Sequence, residues 1–312
     1  MAGTLGSLLA HLRGIAIITP WALALLVQDL LLSLLLLLRP FSPLLVYRLS
    51  SPIAWSCWAG IQFIFERLNG ARVVVSGDKL PAGESAVVIA NHVGWSDFYM
   101  IQHLAMRAKM LGCCRYFAKA QLKKVPLLGW GLVAMGMPLV TRNWQQDKRE
   151  LDRVFSGITQ HRFPTWLISF SEATRFTPQK HREMQQWCEA TGRPQPRHLL
   201  YPRTKGFIAT VQHVRGAAHV KAVYDLTIAY RRGSGPGGFQ QAPPFWDTIR
   251  YGGLGGGGPR GYRFEVHLRR FAMEDLPLED AQLAKWLETR WVEKGEWLER
   301  KRLEWEAEDG GK

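Results

Sequence analysis

Residues 15–38 form an almost unbroken apolar run that closes on Leu30-Leu31-Leu32-Ser33-Leu34-Leu35-Leu36-Leu37-Leu38. As a helix rising 1.5 Å per residue, the run reaches roughly 36 Å, enough to cross the hydrocarbon core of a bilayer. Arg13 and Arg39 flank it, and Asp29 interrupts it. An aspartate at mid-membrane would cost ~3 kcal/mol. A cleaved leader needs small residues after its apolar stretch, but Arg39-Pro40-Phe41 stands there, so the run is expected to persist as an anchor. A second apolar stretch, residues 43–65, carries Arg48, Trp55 and Trp58 among Ser50, Ser51, Ser56 and Gln62. That mixture suits a span, a re-entrant hairpin, a helix at headgroup depth, or a helix packed on a soluble domain.

The charge balance agrees with a membrane setting. A net charge of +14, a pI near 9.9 and 13 tryptophans fit either nucleic acid or an anionic membrane surface with anionic substrates. The leucine-rich run selects the membrane, and no nucleic-acid partner is expected. Cys57, Cys113, Cys114 and Cys188 have neither zinc spacing nor a disulfide framework. They read as free thiols of a cytosol-facing domain.

Beyond residue 69 the pattern alternates short apolar runs with helical stretches. Strands are expected at 72–75, 86–90, 115–118, 165–169, 220–230 and 262–268, the fifth half-exposed because it alternates apolar and polar residues. Helices are expected at 98–107, 148–160 and 207–213, and residues 179–198 read as a polar surface excursion. The glycine-rich segments 233–238 and 252–258 lack a Gly-Lys-Ser/Thr ending and read as linkers. The fold class is α/β, a mixed sheet flanked by helices with an N-terminal membrane-anchoring segment. Three regions follow: anchoring helices at 1–68, a catalytic domain at 69–275, and a charged helix at 276–312, whose ionic residues are expected to face solvent.

Three expected strand ends carry reactive groups. The first is Val87-Val88-Ile89-Ala90-Asn91-His92, with Asp97 five residues past the histidine and Gly94 between them to turn the chain. A carboxylate on one imidazole nitrogen fixes the tautomer and frees the other to take a proton. With nine histidines in the chain, about 0.3 such offsets arise by chance, so the pair needs company. Lys119 follows the second strand, beside an apolar wall that includes Leu127 and Trp130. Glu172, Thr174 and Arg175 follow the third, and Arg203 and Lys205 come later. Strand ends of one sheet can share a rim, which would join a base, an acid and a cationic pocket. No metal-ligand cluster and no Gly-x-Ser-x-Gly elbow is present. A base without a protein nucleophile implies that a substrate hydroxyl attacks.

These residues resemble the boxes of the 1-acyl-glycerol-3-phosphate acyltransferase family. His92 and Asp97 match its H-x4-D box; Lys119 to Trp130 is similar to its K-x6-P-x2-G-W box. Phe170-Ser171-Glu172-Ala173-Thr174-Arg175 looks like its F-P-E-G-T-R box. The likeness spans about 86–230, with a weaker echo at 286–294. Ser171 and Ala173 replace the usual Pro and Gly, and Val220-Lys221-Ala222-Val223 stands without proline where a fourth box is expected. Ala173 would be strained if its φ were positive.

The resemblance implies acyl transfer from acyl-CoA, as co-substrate, to the free hydroxyl of a lysophospholipid, with no cofactor or metal. Lysophosphatidic acid is the first expectation; remodelling of lysophosphatidylinositol or lysocardiolipin is the alternative. His92 would be the base and Asp97 its stabiliser. Lys119 and Arg175 would hold the acceptor phosphate with Glu172 and Thr174, and Arg203 and Lys205 the CoA phosphates. Backbone donors near Gly94 or past Trp95 would hold the oxyanion. The endoplasmic reticulum membrane is the expected location. A thioesterase using His92 to activate water and a non-catalytic lipid-binding scaffold are the rival classes.

Overall fold

The computed structural model of the chain describes residues 2–126, 128–141, 144–233, 237–256 and 260–310. Parts of the two glycine-rich segments, 234–236 and 257–259, and Leu127 of the lysine-rich box lie outside them. The chain opens with two helices, α1 (Ala2–Leu35) and α2 (Pro43–Phe63). Strands β1 (Val73–Gly77) and β2 (Ser85–Ala90) follow, then α3 (Asp97–Arg107) and β3 (Cys114–Tyr116). Next come β4 (Ala118–Lys119), α4 (Leu128–Ala134), β5 (Leu139–Val140), α5 (Trp144–His161) and β6 (Trp166–Phe170). The remainder is α6 (Pro178–Thr191), α7 (Thr204–Val214), β7 (Val220–Arg232), α8 (Phe245–Arg250), β8 (Tyr262–Ala272) and α9 (Asp280–Gly310).

Among the described residues, six strands make one mixed sheet in the order β1-β8-β7-β2-β6-β3. Strands β7, β2, β6 and β3 run parallel, and β8 returns antiparallel beside β7. β1 pairs parallel with β8. All six residues of β2, Ser-Ala-Val-Val-Ile-Ala, are buried, as a central strand covered on both faces requires. Alternate residues supply two cores. Val88, Ile168 and Tyr224 face α2, α3 and α4; Val87, Ile89, Leu167 and Val223 face α5, α7 and α9. The α/β architecture agrees with the expectation from the sequence.

Several local expectations change. The strand expected at 115–118 divides at Phe117: its first half joins the main sheet, while β4 pairs with β5 in a separate two-stranded sheet. The polar excursion at 179–198 contains α6, which starts on a Thr177 cap with Pro178 in its first turn and stops at left-handed Gly192. Strand β7 is not half-exposed, since only Lys221 and Arg232 at its ends are. Its inner polar residues face protein partners instead of water. Asp225 meets Lys294 of α9, and Arg231 meets Asp309. The ionic face of α9 is therefore not uniformly solvated, and Lys294 is fully buried.

Helix α1 lies along the domain. Near its start, Arg13 donates to Asn69 Oδ1 (2.6 Å) and to the Ile249 carbonyl (3.2 Å), and His11 bonds Trp246 and Arg250. In its middle, Trp21 donates to the Cys57 carbonyl of α2. Further on, Asp29 is buried against α4, so close that a Cβ on Gly131 would stand 2.6 Å from its Oδ1. Asp29 thus faces protein, not lipid. Arg13 and Asp29 are separated by about 24 Å of helix, yet both touch the same domain. The opposite face exposes Leu5, Leu12, Leu23, Leu30 and Leu34.

Candidate active site

The backbone after β2 builds the first half of the site. Asn91 clasps the neighbouring strand: its Nδ2 donates to the Ile228 carbonyl (3.0 Å) and its Oδ1 accepts from the Ile228 N–H (2.8 Å). That clasp takes over where the β2–β7 ladder stops at Ala90 and Leu226. The chain then turns, and Asp97 opens α3 with its carboxylate pointing back. Asp97 Oδ2 lies 2.7 Å from His92 Nδ1 and accepts from the Val93 (2.7 Å) and Gly94 (3.0 Å) N–H groups. Its other oxygen accepts from the Tyr230 hydroxyl at 2.7 Å. Asp97 and Tyr230 are fully buried, whereas the His92 side chain keeps 14% of its surface open. Phe170 stacks on the imidazole at 4.1 Å between ring centres. His92 Nε2 has no hydrogen-bond partner among the described residues. An imidazole held this way can accept a proton at Nε2 and keep the resulting charge against Asp97. The Val93 and Gly94 N–H groups are spent on Asp97, so Gly94 does not supply the expected oxyanion donor.

The loop after β6 is tied to the same turn. The Phe176 N–H donates to the His92 carbonyl (2.7 Å), and the Arg203 N–H donates to the Ser171 carbonyl (2.6 Å). Glu172 is buried and does not orient Arg175. Its two oxygens accept from the backbone N–H groups of His92 and Leu200, both at 3.3 Å. It is a brace between the histidine turn and the segment before α7. Burial pushes its carboxyl up to about 8, and the two backbone donors offset this only in part. The folded chain therefore holds a proton that the unfolded chain releases near 4.5. Stability from this group is present at low pH and is lost as pH rises from about 4.5 through about 8. Glu172→Gln should flatten that slope in thermal unfolding. A variant with the slope of the parent would place the titration on another group.

The cations gather around this rim. Lys180, in the first turn of α6, donates to Thr174 Oγ1 (2.6 Å) and to the Arg175 carbonyl (3.4 Å). The side chains of Arg175, Arg203 and Lys205 are exposed. Lys119 is exposed too, but it belongs to the separate β4–β5 sheet beyond the edge strand. Sequence reasoning missed Lys180 and Tyr230. Neither has a motif signal: Lys180 is aimed by the start of α6, and Tyr230 by the β2–β7 register. Ala173 has φ +57°, the left-handed region where a Cβ costs about 1 kcal/mol. Ala173→Gly is accordingly expected to stabilise the fold by up to about 1 kcal/mol, less the entropy gained by the unfolded glycine. The denaturant midpoint measures it, and a lower midpoint would mean that the turn carries no net strain.

Behind the site lies a buried ionic cluster. Asp225 pairs in register with Ile89, three residues before His92. Its carboxylate takes Lys294 on one oxygen and Arg269 on the other, the latter at 2.8 Å. Lys294 also donates to the Leu226 carbonyl at 2.5 Å. Burial lowers the Lys294 pKa, and Asp225 opposes that. Among the described residues, no cluster of three or more His, Cys, Asp or Glu side chains is placed to hold a metal ion.

Comparison with known proteins bears on this geometry. A family model described as acyltransferase matches residues 72–231, and one described as acyltransferase C-terminus matches 257–300. An Arabidopsis thaliana protein named as probable 1-acyl-sn-glycerol-3-phosphate acyltransferase 5 is 30% identical over 225 residues, which cover 72% of this chain and 56% of that one. The human 1-acyl-sn-glycerol-3-phosphate acyltransferase gamma is 30% identical over 263 residues, which cover 83% of this chain and 65% of that one. The chain thus spans 56–65% of the length of these relatives. The crystal structure of the 1-acyl-sn-glycerophosphate (LPA) acyltransferase PlsC from Thermotoga maritima aligns with a TM-score of 0.48 at 16% identity, covering 88% of this chain and 97% of that one.

Proposed function

This chain belongs to the acyltransferase family that includes the 1-acyl-sn-glycerol-3-phosphate acyltransferases, and on that premise we propose that it acylates a lysophospholipid with acyl-CoA, forming phosphatidic acid from lysophosphatidic acid. The observation that carries the reading is the His92–Asp97 pair, with Nδ1 held and the ring partly open at the carboxyl ends of the parallel strands of the mixed sheet. The acceptor hydroxyl gives its proton to His92 Nε2 as its oxygen attacks the thioester carbonyl. The carbon–sulfur bond then breaks, and the CoA thiolate leaves and recovers the proton from the imidazolium. The products are an ester and CoA-SH. No metal or cofactor is required, because a thiolate is a good leaving group. Asp97 stabilises the imidazolium, and Tyr230 holds Asp97 in place. Arg175, with Thr174 and Lys180 beside it, is assigned to the acceptor phosphate, and Arg203 and Lys205 to CoA phosphates.

Helix α1 is long and apolar enough to cross a bilayer, with only 11% of its most apolar stretch buried. Its contacts with the domain at both Arg13 and Asp29 favour a helix lying in the membrane plane, its leucine face in the acyl chains. The endoplasmic reticulum membrane, with the catalytic face toward the cytosol, is the location proposed.

Purified protein given labelled acyl-CoA and lysophosphatidic acid should yield labelled phosphatidic acid with equimolar CoA. Free fatty acid in place of phosphatidic acid would mean a thioesterase, and no CoA release on any lysolipid would mean a scaffold. Arg175→Ala should raise the acceptor KM by roughly tenfold, the worth of one charge-assisted hydrogen bond. The KM for acyl-CoA should stay near that of the parent. An unchanged acceptor KM would remove Arg175 from the phosphate site.

A further inference from the structure

At the opposite end of the sheet from His92 lies a cavity of about 170 Å³, walled by Arg39, Tyr47, Arg115, Gly136, Arg153 and Thr165, among others. Thr165 precedes β6 and Phe170 ends it, so the strand's length, roughly 17 Å, separates this cavity from the candidate active site. Among the described residues, three arginines line it and no carboxylate does. Arg153 is partly neutralised by Glu150, which accepts from its Nε (3.2 Å) and Nη2 (2.6 Å).

Among the described residues, the other two arginines make no ion pair with an acid, and Arg39 feels Glu150 only at a distance. Arg115 is 1% exposed. Its guanidinium donates to the Gly112 and Cys114 carbonyls, each at 2.9 Å, and to Ser51 Oγ at 3.3 Å, and it lies 4.6 Å over the Tyr47 ring. Its Nε–H has no acceptor among the described residues and sits beside Gly136. A buried cation without a counter-charge is costly, and natural proteins pair such groups. Arg39 is half-buried, and its guanidinium makes no hydrogen bond or ion pair among the described residues. Burial, then Arg153, lowers its pKa, and Glu150 opposes them in part. So the cavity concentrates three cationic side chains against one nearby carboxylate, Glu150.

Its position says what answers the excess charge. Arg39 lies in the α1–α2 connection, between Leu37 and Leu38 on one side and Phe41 on the other. These three side chains are 70%, 39% and 86% exposed. Pro43 and Val46 at the start of α2 also line the cavity. An apolar tip that meets acyl chains thus stands next to a cationic hole that would sit at phosphate depth. We propose that the Arg39–Arg115–Arg153 cavity binds the phosphate of an anionic phospholipid of the surrounding membrane, as a site separate from the acyl-transfer centre. Occupation locks the α1–α2 connection to α4 and α5. The site is independent of the acyl-transfer step and rests on the membrane placement of α1.

The test uses the full chain in dodecylmaltoside micelles, with dihexanoyl phosphatidylglycerol, dihexanoyl phosphatidylcholine and glycerol 3-phosphate as titrants followed by calorimetry. Phosphatidylglycerol should bind saturably, roughly tenfold tighter than phosphatidylcholine. Arg39→Ala should weaken it by roughly tenfold, and Arg39→Lys should restore most of the loss. Lys285→Ala, which removes one exposed charge on α9, should leave binding within about twofold of the parent, and so should Arg175→Ala at the other rim. Equal losses in Arg39→Ala and Lys285→Ala, or no preference over phosphatidylcholine, would overturn the site. Glycerol 3-phosphate binding as tightly as the lipid would overturn its assignment to the membrane.

Discussion

His92→Ala should lower kcat by about 10²–10⁴-fold, the usual contribution of a positioned general base, with little change in either KM. The imidazole touches the rest of the protein through Asp97 and the Phe170 ring. Its backbone, which holds the Phe176 N–H and meets Glu172, is unaltered by the substitution. The variant should therefore fold, and a thermal scan beside the assay separates lost chemistry from lost structure. Asp97→Asn makes a complementary case. It keeps the shape but gives the Val93 and Gly94 N–H groups and Nδ1 a neutral acceptor in place of a charged one, so the turn is held more weakly and kcat should fall with stability. Acyl transfer by folded His92→Ala at the parent rate would end the base assignment.

Lys294→Ala is the change expected to cost most in stability, about 3 kcal/mol, or roughly 5–10 °C in Tm for a domain of this size. Lys294 is fully buried, and its removal leaves Asp225 with Arg269 alone and the Leu226 carbonyl without its donor. The double change Asp225→Asn with Lys294→Met should recover more than half of the loss. Buried ion pairs that are replaced together cost far less than pairs that are broken. Activity should drop further than unfolding accounts for, because Asp225 stands opposite Ile89 in β2, the strand that leads to His92. A Tm within about 1 °C of the parent would mean that the cluster contributes nothing net.

Much of this arrangement is written locally. The imidazole and carboxylate are five residues apart, with glycine in the turn and a helix start at Asp97, so short-range geometry alone brings them together. The apolar strands β2 and β6 and the surface helix α5 likewise follow from short patterns. Strand β7 misleads a local reading because its alternating Asp225 and Thr227 resemble a solvent face. They are covered by α9, whose lysine reaches across from position 294. Glu172 misleads in another way. A carboxylate near an arginine in sequence suggests an ion pair, but the fold turns it inward to two backbone N–H groups.

From the chain alone came the α/β class, the adjoining histidine and aspartate, the acidic and basic groups after the third strand, and a leucine-rich segment suited to lipid. Each depends on residues within about one turn or one strand of each other, where covalent geometry leaves few alternatives. Only the tertiary structure decided that Tyr230 supports Asp97, that Lys294 neutralises Asp225, that α1 runs along the domain, and that Arg39 and Arg115 share a cavity. Those outcomes depend on strand register and helix docking between residues far apart in the chain. Both are set by the summed burial of many side chains, and no short pattern records that sum.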